Sequence, residues 1–191
     1  DLKELPIAGL HIDLDRAPEQ LEPVLSAIAP TKIGLSLGLV SGRNIWKTDL
    51  GAAIKLAQKA VDAIGADRIQ VASSSSLLHT PITVANEKKL KPEVADWFSF
   101  ATEKCGEVAT IGVALKDQAA AAQKLEANAK SIAARRDFEK NSDPAVRERV
   151  ANIRPEDLSR KSPFPQRREV QRQFLKLPPF PTTTIGSFPQ T

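Results

Sequence analysis

The sequence predicts an α/β fold with a parallel sheet, followed by an extended, partly helical segment. Three observations point there. Apolar β-rich stretches alternate with amphipathic helical stretches, the pattern of a parallel α/β sheet. Residues 31–40 (TKIGLSLGLV) are almost continuously apolar, as a strand covered on both faces would be. Beyond residue 135 the composition turns basic and proline-rich.

Residues 5–14 (LPIAGLHIDL) read as the first strand, with Asp13, Asp15 and Arg16 at its end. Residues 17–28 follow as a short helix, because Leu21, Val24, Leu25 and Ile28 recur at helical spacing. The second strand is residues 31–40, where Gly34 and Gly38 mark close packing or backbone approach. Asp49 can cap a helix over residues 50–64, with Ile54, Ala57, Val61 and Ile64 as its buried stripe and Gly65 as its stop. Residues 68–72 (RIQVA) are the third strand. The helix-length connection between the second and third strands is that of a right-handed βαβ unit.

A long helix is expected from Pro92 toward Leu115, with Val94, Phe98, Ala101, Cys105 and Val108 lining one face and Trp97 and Phe100 widening it. Residues 117–135 are alanine-rich and helical by propensity, with a weak stripe that suits a surface helix. Residues 135–176 hold 12 Lys+Arg against 7 Asp+Glu, a net of +5, while the remainder holds 15 against 16, a net of −1. Eight of the 14 prolines lie from Pro144 onward. This segment reads as an interdomain linker with short helices at 144–153 and 166–175.

The end of the chain, residues 177–191 (LPPFPTTTIGSFPQT), carries the strongest ligand signal. Three prolines impose an extended approach. Thr182 to Ile185 then form a β-branched run, and Gly186-Ser187 follow as a turn. Such a strand-to-turn junction presents backbone N–H groups at a strand's carboxyl end. A plain tail strand with a turn reads the same residues equally well.

Other chemistry is sparse. A zinc site needs three or four converging ligands, and the chain has only His11, His79 and Cys105 beside its carboxylates. Cys105 is expected on a buried helix stripe, and His79 as a structural hydrogen-bonder. Ser73 to Ser76 end the third strand and could bind a polar group, cap the next element, or do neither. Arg43 could pair with a carboxylate and Trp46 could stack, although a structural turn with Trp46 packed on the rim is the plainer account. Buried pairing is the expectation for His11, Asp13, Asp15 and Arg16. The arginines of residues 135–172 are interleaved with acids, so a solvated linker against an acidic surface is preferred to nucleic-acid binding. No apolar run reaches the roughly 20 residues that cross a bilayer. The single cysteine fits a reducing compartment.

Three strings carry a resemblance: GRNIWKTDL (42–50), VASSSSLLHTP (71–81) and FPTTTIGSFPQT (180–191). In that order they resemble the cobalamin-independent methionine synthase family. The resemblance implies two (β/α)8 barrels, of which this chain would hold parts. Residues 1–134 would be the C-terminal part of the amino-terminal barrel. Residues 135–176 would be the linker, and residues 177–191 the first strand and ligand loop of the catalytic barrel. At 191 residues the chain is too short for one whole barrel, and its lack of methionine suits an excised segment.

The implied activity is transfer of a methyl group from 5-methyltetrahydrofolate polyglutamate to homocysteine. Ile185, Gly186 and Ser187 would hold the amino-acid part of homocysteine. Zinc would be bound by residues outside this chain, cobalamin would play no part, and the chain alone would be inactive. Ser75 would stand where the catalytic barrel has a zinc-binding cysteine. Asp15 departs from the apolar residue expected there. The resemblance further implies a cytoplasmic, monomeric full-length enzyme with no nucleic-acid or membrane partner. The alternative is a non-catalytic α/β interaction module with a basic tail.

Overall fold

The computed structural model describes residues 4–138, 143–183 and 186. The chain divides into two compact units, Asp1–Asn141 and Ser142–Thr191.

In the first unit, three parallel strands form an open sheet in the order β1 (Gly9–Asp13), β2 (Gly34–Val40), β3 (Ile69–Ser73). Gly9 pairs with Gly34 and Leu35 with Ile69; the β2–β3 register shifts between Gly38 and Val40. The alternation read from the sequence is therefore present, with shorter β1 and β2 than expected. A closed barrel is not formed by the described residues. Strand β2 is also less symmetric than its composition suggests. Leu35, Leu37 and Leu39 lie on one face and are buried in the core. On the other face Ser36 joins His11, Arg68 and Gln70 around an open concavity of about 430 Å³.

Helices α1 (Leu21–Ile28) and α2 (Leu50–Ile64) supply the cover. Leu21, Leu25 and Ile28 are the buried stripe of α1. Helix α2 buries Leu50, Ala53, Ala57, Ala60 and Ile64, so small alanines face the core and the expected Ile54 and Val61 flank it half-buried. Asp49 Oδ1 accepts from the Ala52 N–H at 2.9 Å, satisfying an end donor, and Gly65 closes the helix at φ 87°.

The single long helix expected from Pro92 is instead two: α3 (Pro92–Ala95) and α4 (Ala101–Lys116). Between them, Trp46 and Phe98 form an antiparallel bridge. The Ser99 N–H donates to the Ile45 carbonyl at 2.8 Å, and the Lys47 N–H to that of Trp97 at 2.9 Å. A helix through residues 96–100 would forfeit these bonds. The interruption resets the helical phase. Lys104, Glu107, Thr110, Ile111 and Ala114 turn inward, and Cys105, expected buried, is exposed. Helix α5 (Gln118–Arg136) begins at an Asp117 cap and buries little beyond Ala121, Asn128 and Ser131. It is the surface helix expected of its weak stripe.

The second unit holds α6 (Pro144–Ala151) and α7 (Phe164–Leu175), with α7 ending in a left-handed Lys176, φ 49°. Its apolar side chains stay in solvent: Val170 is 67% and Phe174 83% exposed. Both helices were legible from their prolines and spacing. Thr182 and Thr183 are exposed and belong to no strand; Thr184 and Ile185, the rest of the expected strand, lie outside the described residues.

Candidate functional site

The carboxyl ends of the three strands form a rim in the first unit. At β1, Asp13 Oδ1 accepts from the N–H groups of Asp15 (3.1 Å) and Arg16 (3.0 Å), so this carboxylate shapes a turn. His11 points elsewhere: its Nδ1 is 2.9 Å from Ser36 Oγ and its Nε2 is 3.3 Å from the Ser74 carbonyl. The expected buried cluster of His11, Asp13, Asp15 and Arg16 does not form. His11 and Asp13 share a strand face, but the His11 ring is engaged by Ser36 and the Ser74 carbonyl, and the Asp13 carboxylate by the backbone of its own turn.

The serine run resolves into separate tasks. Ser74 is buried, its N–H donates to the Val40 carbonyl at 2.7 Å, and its Oγ accepts from the Gly42 N–H at 3.2 Å. Ser76 Oγ accepts from the Leu78 N–H at 3.2 Å and caps the turn that follows. Ser75 packs against Gly42, where an added Cβ would fall 2.6 Å from the Ser75 hydroxyl. Glycine at 42 is thus required by close approach of two loops. His79 is exposed at the end of that turn.

Loop 41–49, which follows β2, builds the wall of a rim pocket of about 480 Å³. Asp15, Asn44, Trp46 and Lys47 line it from the strand side; Ile132, Arg135 and Arg136 line it from α5. Trp46 is 39% exposed, lies 5.1 Å from the Phe98 ring, and carries the Arg135 guanidinium 4.3 Å over its face. Such a cation over an indole is attracted by the ring quadrupole. Trp46 is therefore packed on the rim, as the plainer account held, yet it keeps an accessible face. Arg43 is exposed. Spacing within residues 42–46 could not reveal the α5 half, because it arrives from some 90 residues downstream.

Beneath the loop lies a charged layer the sequence reading passed over. Lys104 is fully buried. Its ammonium donates to the Trp46 carbonyl at 3.1 Å and to Asn44 Oδ1 at 3.4 Å. Burial pushes its pKa below the ordinary lysine range, and the nearby Glu107 and Asp15 carboxylates oppose that shift. One helical turn on, Glu107 Oε1 accepts from the Thr48 N–H at 3.1 Å. The signal for this pair was the Lys-x-x-Glu spacing, hidden by placing the helix in the wrong phase.

Among the described residues no three His, Cys, Asp or Glu side chains converge to hold a metal ion. Of the expected homocysteine contacts, Gly186 is an exposed bend, whereas Ile185 and Ser187 lie outside the described residues. No helix among the described residues is long and apolar enough to cross a membrane.

Comparison with known proteins bears on the whole length. A Schizosaccharomyces pombe protein named "Probable 5-methyltetrahydropteroyltriglutamate--homocysteine methyltransferase" is 50% identical over 191 residues, which is 100% of this chain and 25% of that protein. The similarity to that methyltransferase runs along the entire chain. The family described as "Cobalamin-independent synthase, N-terminal domain" matches residues 1–65. The Saccharomyces cerevisiae methyltransferase of the same reaction name is 50% identical over 190 residues, 100% of this chain and 24% of its own. That of Acidithiobacillus ferrooxidans (strain ATCC 53993 / BNL-5-31) is 49% identical over 191 residues, again 24% of its length. The chain thus spans about a quarter of the length of the methyltransferases it matches.

Proposed function

We propose that the chain serves as part of a methyltransferase that moves the methyl group of methyltetrahydropteroyltriglutamate to homocysteine. The observation that carries this reading is an identity of about half, over an alignment that covers the whole chain, to proteins named for that reaction. Within it, residues 1–134 are the C-terminal part of an amino-terminal (β/α)8 barrel. The three parallel strands and their covering helices support this, since such a barrel consists of repeated parallel βα units. Residues 135–176 are the linker between barrels, and residues 177–191 supply the first strand and ligand loop of the catalytic barrel. The full-length enzyme is a cytoplasmic monomer.

In this reading Ile185, Gly186 and Ser187 hold the amino-acid part of homocysteine. Backbone N–H groups and a hydroxyl can meet its carboxylate, and backbone carbonyls its ammonium, without a charged side chain being desolvated. The homocysteine sulfur takes the methyl carbon from N5 of the donor as the carbon–nitrogen bond breaks. In this reading zinc is bound by residues outside this chain. No cobalamin is needed.

The test is kinetic. In the full-length protein, Gly186→Val and Ser187→Ala are expected to raise the KM for homocysteine roughly tenfold, the effect of losing one good hydrogen bond to a charged group. An unchanged KM in both variants refutes the homocysteine assignment. A second reading, an interaction module with a basic tail, draws on the exposed Phe164, Val170, Phe174 and Phe180 among the arginines of the second unit. Salt-sensitive binding of an acidic protein partner, with no affinity for homocysteine, would favour it.

A further inference from the structure

The geometry points to Lys104 as a positioning residue that pre-forms the rim loop carrying Trp46. The inference rests on the methyltransferase reading for its functional consequence, and on the geometry alone for the clamp.

Lys104 is 0% exposed, an unusual state for an ammonium group. Taking a charge out of water costs several kcal/mol, and buried ion pairs are often replaceable by apolar residues without loss of stability. Stability alone is therefore a weak account of this lysine. What the ammonium contacts is more specific. Both hydrogen-bond acceptors, Asn44 Oδ1 and the Trp46 carbonyl, belong to loop 41–49. Asn44 in turn accepts from the Trp46 N–H at 3.0 Å through the same oxygen, so one amide fixes both the ammonium and the indole-bearing residue.

Glu107 extends the clamp to Thr48 through its Oε1, while its Oε2 is buried without a hydrogen-bond partner among the described residues. Asn128 completes the series from α5, accepting from the Leu50 N–H at 3.1 Å and donating to the Thr48 carbonyl at 2.8 Å. Three side chains from two helices thus bind backbone groups of Trp46, Thr48 and Leu50, along the loop and into the first residue of α2. The charges facing Lys104 are Glu107 from its own helix and Asp15 from the turn after β1. Asp15 also lines the rim pocket, so the clamp and the pocket share a carboxylate.

The consequence is a recognition surface that exists before any ligand arrives. A loop held by four hydrogen bonds from α4 and α5 loses little entropy when a ligand meets it, and this lowers the cost of binding. Trp46 presents its partly open face into the pocket from that fixed backbone.

The test uses the full-length protein. Lys104→Met with Glu107→Gln removes both buried charges together, so neither is left unpaired, and Asn44→Ala loosens the loop without touching charge. Hydrogen exchange at residues 46–48 is expected to accelerate roughly tenfold in the double variant, with a smaller change in the same direction for Asn44→Ala. Exchange in β2 should be unaltered. With loop 41–49 loosened, the KM for one of the two proposed substrates should rise several-fold while kcat changes less.

A folded double variant with unchanged exchange at residues 46–48 overturns the clamp. Faster exchange with the KM unchanged for both substrates overturns the positioning role. If the double variant does not fold, Asn44→Ala decides on the same two readouts. A full-length protein without methyl-transfer activity would refute the methyltransferase reading, and the exchange result would still decide the clamp.

Discussion

Glu103 shows how one side chain can join two segments and open a helix. Burial pushes its pKa up, but the Thr83 hydroxyl at 2.6 Å and the N–H groups of Val84 and Phe100 outweigh this and hold it below the ordinary carboxylate value. A depressed folded-state pKa stabilises the fold above the unfolded value of about 4.5 and loses that contribution as pH falls through the folded one. Melting of the first unit should therefore decline more steeply below about pH 4.5 in the native chain than in a Thr83→Val, Glu103→Gln variant. Parallel profiles would remove Glu103 from the account. Lys104 moves stability in the same direction with pH, but in an alkaline window and by relief of a cost. Burial lowers its pKa, so the unfolded chain binds more protons between the folded value and the ordinary 10.5. Its destabilising contribution is relieved as pH rises through that window.

At the scale of elements, β2 does most to hold the first unit together. Leu37 is 0% exposed and sits mid-strand between α-helical cover and two strand neighbours. Leu37→Ala is expected to cost about 2–5 kcal/mol in a denaturant titration, because the rigid sheet cannot collapse into the void. Gly38 tests the register. A Cβ there would fall 2.7 Å from Ser74 Cα and 2.8 Å from the Ile12 carbonyl oxygen. Backbone lies on both sides, so Gly38→Ala must shift a strand and should lower the melting temperature by several degrees. An unshifted melt would show that β1 and β3 give way easily.

Elements with strong local signals were legible in the sequence. Helix α2 was bounded by its Asp49 cap and Gly65 stop, and the strands by their apolar runs. The break between α3 and α4 was not. Residues 96–100 can satisfy a helical pattern, but the Trp97 carbonyl and the Ser99 N–H bond to Lys47 and Ile45, partners distant in sequence. That long-range pairing also set the inward face of α4, which is why Lys104 and Glu107 escaped notice and Cys105 was misplaced. The rim pocket followed the same rule: Trp46 was visible, while the α5 residues facing it were not.

At the scale of the whole molecule, the chain divides into a core-bearing unit and a second unit whose helices expose their apolar sides. Exposed side chains such as Phe174 and Phe180, 83% and 91% accessible, contribute little burial to their own unit. Conversion of Phe174 and Phe180 to serine should leave the melting of the first unit unchanged. The chain matches its relatives throughout yet spans a quarter of their length. The 191-residue chain alone should therefore form no methionine. The central claim is tested most directly by supplying the full-length protein with homocysteine and methyltetrahydropteroyltriglutamate and measuring methionine. The account predicts steady formation without added cobalamin, abolished in protein lacking the segment equivalent to residues 177–191. No methionine from the intact, folded protein, or equal formation without that segment, would contradict it.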